Sequence, residues 1–150
     1  MMDRVLLVTD DSPGGLAAAR TAIELAERLH ARLRAVQVVR DHAYSDIVAS
    51  VSQHPDVHQR RESSASALLE RVAGQCHRAG VGVETGLLFG DPVSRVLAEA
   101  KSWRPEVIVI SRSPQAEPGW TAVSDETAHI LEFAEQPVLV VPPPHRTRQH

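Results

Sequence analysis

A chain of 150 residues is the size of one domain and long enough for a real core, and its 43% hydrophobic and 23% charged residues are those of an ordinary globular protein. A net charge of −3, with fifteen Arg and one Lys scattered along the chain, offers no electrostatic pull toward nucleic acid or an anionic membrane. No window approaches the roughly 18 consecutive apolar residues of a membrane span, the opening Met1-Met2-Asp3-Arg4 carries no signal-peptide pattern, and the lone Cys76 excludes an internal disulfide framework; a cytoplasmic protein is expected.

In chain order, Val5 to Val8 is a short apolar run suited to a strand buried on both faces. Pro13, Gly14 and Gly15 mark a turn, after which Leu16, Ala19, Ile23 and Ala26, flanked by Ala22, Leu25 and Leu29, trace one helical stripe. Leu33 to Val39 reads as a second strand. Residues 41–58 show no period and read as a loop with at most a short helical piece. Ala65, Leu68, Leu69, Val72 and Cys76 then form another helical stripe that stops before Gly80. Val81 to Phe89 reads as strand three, with Asp91 as N-cap and Pro92 as first residue of the next helix. Val93, Val96, Leu97 and Ala100 make its buried face. Strand four is Val107 to Ile110, the last helix covers residues 122–134, and strand five is Pro137 to Val141. Residues 1–142 form the domain and 143–150 a flexible tail.

Strands alternating with helices imply an α/β fold: a single, mainly parallel five-stranded sheet with helices on both faces. In such sheets ligands bind beyond the carboxyl ends of the strands, where strand order reverses. Those ends are Thr9-Asp10-Asp11-Ser12, Val39-Arg40, Gly90-Asp91 and Ser111-Arg112-Ser113.

These segments carry a resemblance. Val5 to Ser12, with its Asp-x-Ser turn, looks like the opening strand of the universal stress protein family. Phe89-Gly90-Asp91-Pro92 matches that family's Gly-Asp-Pro turn, and Glu106 to Ile110 and Gln136 to Pro142 match its fourth and fifth strands. The likeness runs in order over residues 3–142. It implies a Rossmann-like sheet of order 3-2-1-4-5, and a nucleotide, if one binds, held at Asp10, Val39, Gly90, Ser111, Arg112 and Ser124. ATP-binding members carry Gly-x2-Gly-x9-Gly-Ser/Thr between strand four and the last helix. Laid from the strand, those glycines fall on Ser111, Pro114 and Ser124, and the final Ser/Thr on Asp125. A one-residue slip puts Arg112 on the family's loop arginine and restores no glycine. Glycines let backbone N–H groups curl around phosphates; Pro114 and Pro118 have no N–H to give. Asp125 and Glu126 would themselves occupy the anion-favouring end of the last helix. The resemblance is therefore to a branch with a degenerate ATP-binding loop: no cofactor is expected, with ATP or AMP as the alternative.

Asp10 has two readings of equal weight, a ribose or metal contact and a cap on the turn into helix one. The Asp10-Asp11 pair also resembles the acidic pocket of a phosphorylated receiver domain, but no Lys follows strand five. His54 and His58, four apart with His42 upstream, would need further ligands to hold a metal, and none is expected. Cys76 lies on the apolar stripe of its helix and reads as a small buried residue. Trp103 and Trp120 read as partner contacts or as closures of the core rim. Neither Ser12 nor Ser113 has a His at a recognisable spacing, so no enzyme is expected. In the family's strand order the last strand is an edge, and an apolar edge of Val138, Leu139, Val140 and Val141 needs covering. The resemblance implies that a second copy covers it across a two-fold axis, giving a homodimer with Pro142 to Pro144 limiting the ladder. The expected role is stress response through protein contacts, the alternative an adenine-nucleotide sensor with a rearranged loop.

Overall fold

Alternation along the central strands builds two cores at once. Val5 and Leu7 of β1 (Arg4–Val8) point to one face of the sheet and Leu6 to the other, all three fully buried. Each such side chain contributes roughly 1.5–3 kcal/mol by leaving water. A computed structural model describes residues 2–40, 56–112 and 125–144. After β1 come α1 (Pro13–Leu29), β2 (Arg32–Val39), α2 (Asp56–Ala79), β3 (Val83–Phe89), α3 (Pro92–Trp103), β4 (Val107–Ser111), α4 (Asp125–Phe133) and β5 (Val138–Val141). All four strand pairings are parallel, in the order β3-β2-β1-β4-β5. The expected architecture is present, strand order included.

One layer packs α1 and α2 against Val5, Leu7, Leu33, Ala35, Val107 and Val109. Ala18, Ala22 and Ala26 keep α1 slim, so its axis lies close to the sheet, and Leu69, Val72 and Cys76 bring α2 alongside. The opposite layer sets Val96 and Ala100 of α3 and Ile130 of α4 on Leu6, Val36, Ile108 and Ile110. Trp103 closes the rim of the sheet's amino end: its carbonyl accepts from Arg4 Nη1 at 2.7 Å and its ring lies 5.8 Å below that guanidinium. Cys76 is buried, and desolvation pushes its thiol up to about 11.

Three expectations need correcting. Leu16 and Leu29, placed on the buried stripe of α1, are exposed, because the alanine-rich side of the helix faces the sheet. The segment 41–58 does not remain loop to its end: α2 begins at Asp56. From His58 to Ser64 no apolar residue marks a period, yet Gln, Arg and Glu are good helix formers, and Arg60 to Ser64 form exposed turns beyond the packed stripe. Strand three starts at Val83, since Val81 N–H caps α2 by bonding Cys76 O at 2.8 Å. Residues 122–124 of the expected last helix, Trp120, and most of the expected tail lie outside the described residues. No helix among the described residues is long and apolar enough to cross a membrane.

Candidate functional site at the carboxyl ends of the strands

The turn after β1 is built by hydrogen bonds between near neighbours. Ser12 is the N-cap of α1, its hydroxyl accepting from Gly15 N–H at 3.0 Å. Asp10 Oδ1 accepts from Ser12 N–H at 2.9 Å and also from the Ser12 hydroxyl. Thr9, buried, donates from Oγ1 to Gly15 O at 2.9 Å and from its amide to Val36 O at 3.0 Å. Of the two readings of Asp10, the capping one is seen directly: this carboxylate fixes the N-cap side chain, and Asp10 itself remains exposed.

The other expected positions fall into two groups. Ser111 ends β4 and Arg112 follows it, donating its amide to Val141 O at 2.8 Å. Both lie against the start of α1: a Cβ on Gly14 would sit 3.3 Å from Arg112 O and 3.4 Å from Ser111 Cβ. Asp10, Ser111 and Arg112 thus surround the point where strand order reverses between β1 and β4. Val39 and Gly90 form the second group, joined by Gly90 N–H to Val39 O at 3.1 Å at the ends of β2 and β3. Gly90 has φ +127°, a conformation L side chains rarely adopt. Ser124, with Ser113 and the two prolines of the β4–α4 connection, lies outside the described residues, as do His42 and His54.

Charges converge between these groups. Arg40, after β2, forms an ion pair with Glu126 in the first turn of α4, and so ties the β2 end to the opposite layer. Next to it Asp91 caps α3, its Oδ2 accepting from Ser94 N–H at 2.9 Å. That hydrogen bonding to Ser94, helped by the nearby positive charges of Arg40 and His129, holds the Asp91 carboxyl below the usual aspartate range. A folded-state pKa below the unfolded one means stability present at neutral pH and lost as pH falls through the folded value. Asp91→Ala should therefore melt below the wild type at neutral pH, and the gap should narrow in acid below the ordinary aspartate range. Paired thermal melts across that range check it, and a constant gap would mean that the carboxylate is not what caps α3.

A cavity of about 550 Å³ opens on the α1–α2 side of β2. Its lining includes Asp11, Gln37, Val39, Arg40, Arg60, Arg61 and Ser64. Of these, Asp11, Val39 and Arg40 lie in the strand ends singled out from the sequence, and only Val39 was an expected nucleotide contact. The Arg60-Arg61 pair is the signal in the sequence that could have found it, once α2 is known to begin at Asp56.

The geometry defines a doubly covered parallel α/β domain with a polar cavity beside the carboxyl end of β2. The family model of the universal stress protein family matches residues 1–142, and the chain belongs to that family. It is 30% identical over 109 residues to a universal stress protein A-like protein of Arabidopsis thaliana, a match covering 71% of this chain and 62% of the relative, so the chain spans less than two thirds of that protein. Universal stress protein UspA from Lactobacillus plantarum superposes with a TM-score of 0.71 at 23% identity, covering 93% of this chain and 97% of that one. The universal stress protein from Archaeoglobus fulgidus in complex with dAMP gives 0.64 at 17% identity, covering 94% and 98%. At such identities these two likenesses speak for the fold alone.

Proposed function

We infer that this protein is a cytoplasmic, non-enzymatic member of the family that acts in stress response as a homodimer, through protein contacts, without holding ATP in the usual loop. The observation that carries the reading is the sheet edge at β5, which pairs on one side only among the described residues. The strand ends the sheet, is apolar throughout, and leaves Leu139 39% exposed on the α1–α2 face, while in the opposite layer Leu131 and Phe133 of α4 are 44% and 61% exposed. Against ATP stand the missing glycines, the prolines without N–H, and the carboxylates that open α4, one of them already paired with Arg40. Against catalysis, the Ser12 hydroxyl is committed to capping and the Cys76 thiol is buried and protonated.

The second reading, an adenine-nucleotide sensor with a rearranged loop using Asp10, Val39 and Arg112, is favoured by the dAMP complex of the related fold. A thermal-shift titration with ATP and magnesium separates the two. A ligand at about a hundred times its dissociation constant adds roughly 2.7 kcal/mol, several degrees for a domain of this size. No shift that depends on Arg112 is expected. A saturable shift abolished by Arg112→Ala would place the triphosphate on the β4–α4 connection and overturn the first reading.

A further inference from the structure

The cavity beside β2 has a division of hydrogen-bonding roles that the family assignment does not explain. Its helix side is rich in donors: the guanidinium groups of Arg60 and Arg61, and the hydroxyl of Ser64, which lies one turn from both at i+4 and i+3 and can donate as well as accept. Its strand side offers acceptors. Asp11 brings a carboxylate, and Gln37 Oε1 is buried with no hydrogen-bond partner. A buried amide oxygen left unpaired is costly, which makes it a place where a ligand N–H or O–H would be held. Arg40 also lines the cavity, but it is occupied by Glu126. Among the described residues neither Arg60 nor Arg61 forms an ion pair. With two unpaired arginines against one aspartate, the lining favours an anion in a protein whose net charge is −3.

We propose that this cavity binds a phosphate monoester carried on a hydroxyl-bearing body, the phosphate lying on Arg60, Arg61 and Ser64 and the body donating to Gln37 and Asp11. Guanidinium forks match phosphate oxygens, and a cavity of about 550 Å³ is in the size range of small-ligand sites. A nucleoside monophosphate and a sugar phosphate share this chemistry. The anionic end then lies on α2, away from the β4–α4 connection, and the site stands whether or not the chain dimerises.

The experiment is a calorimetric or thermal-shift titration of the full chain with AMP, ribose 5-phosphate, adenosine, ribose and inorganic phosphate. AMP or ribose 5-phosphate should bind saturably, and at least about tenfold more tightly than its unphosphorylated counterpart or than inorganic phosphate. The double substitution Arg60→Ala/Arg61→Ala, on exposed turns, should weaken binding about tenfold or more, while Arg71→Ala/Arg78→Ala, which removes the same charge farther along α2, should not. AMP tighter than ribose 5-phosphate would identify a nucleotide site; equal affinities would identify a sugar-phosphate site. The proposal fails if no phosphorylated probe binds. It fails equally if phosphate alone binds as well as its esters, or if binding survives the Arg60/Arg61 change and is lost with Arg112→Ala.

Discussion

Replacing Gly15 with alanine will destabilise the domain by about 1–3 kcal/mol, the usual cost of forcing an atom into a filled site. The reason lies in how α1 starts. A Cβ at Gly15 would meet Asp10 Oδ1 at 2.2 Å, Asp10 O at 2.4 Å and Asp10 N at 2.7 Å. Two of those atoms are backbone, and the third is held by Ser12, so no flexible side chain can move aside. Gly15 is also fixed from both sides, its amide on Ser12 and its carbonyl on Thr9 Oγ1. Relief would require lifting the first turn of α1 off β1, which breaks the cap and shifts Asp10 away from the switch point. Gly14→Ala is the matched control. Its Cβ would lie 3.3 Å from Arg112 O, a small adjustment offset by alanine's better helix propensity, so its stability should stay near that of the wild type. At roughly 2–4 °C per kcal/mol for a domain of this length, urea or thermal unfolding will separate the two variants. Equal effects at the two positions would mean that the turn does not sit on Asp10 as described.

That contrast shows what the sequence can and cannot disclose. Val5 to Val8 and Val107 to Ile110 could be read as doubly buried strands because a parallel sheet covered on both faces needs uninterrupted apolar residues. Asp91-Pro92 and Gly80 announced a helix start and a helix stop through the chemistry of caps, and Gly80 indeed has φ +72°. The ends of α1 and α3 carry no such mark. They close on His30 and Arg104, both with positive φ, which no glycine rule would select. Gly14 and Gly15 read as a turn, but only the packing of α1 on β1 and β4 reveals that one is replaceable and the other is not. The carboxyl edge of the sheet was legible at its strand ends, where Asp10, Val39, Ser111 and Arg112 lie. The site was hidden where it depends on α2, whose first turns have no apolar period, and where Arg40 reaches Glu126, 86 residues away in sequence. Side chains brought together from distant segments leave no local pattern to read.

The largest expected effect belongs to the sheet edge. Leu139→Asp should turn the proposed dimer into a folded monomer. The four residues of β5 are not equivalent: Val138 and Val140 pack into the α3–α4 layer and Val141 is buried in the α1–α2 layer. Leu139 shares the face of Val141 but stays 39% exposed, with no covering element among the described residues. A two-fold interface places this position in both partners, and each copy would bury an unpaired carboxylate. At about 2 kcal/mol or more for each truncated anchor, association weakens by about 4 kcal/mol, roughly a thousandfold. The monomer loses little, because a half-exposed side chain contributes little to its core. Light scattering should give twice 16.4 kDa for the wild type and a single 16.4 kDa for the variant, with unchanged circular dichroism. Phe133→Asp, on the neighbouring helix and 61% exposed, provides an independent second disruption. If Leu139→Asp stays dimeric while Phe133→Asp dissociates, the partner sits on α4 and not along the strand. A wild type that is monomeric at every concentration would leave the apolar edge for a different partner and remove the homodimer from the reading.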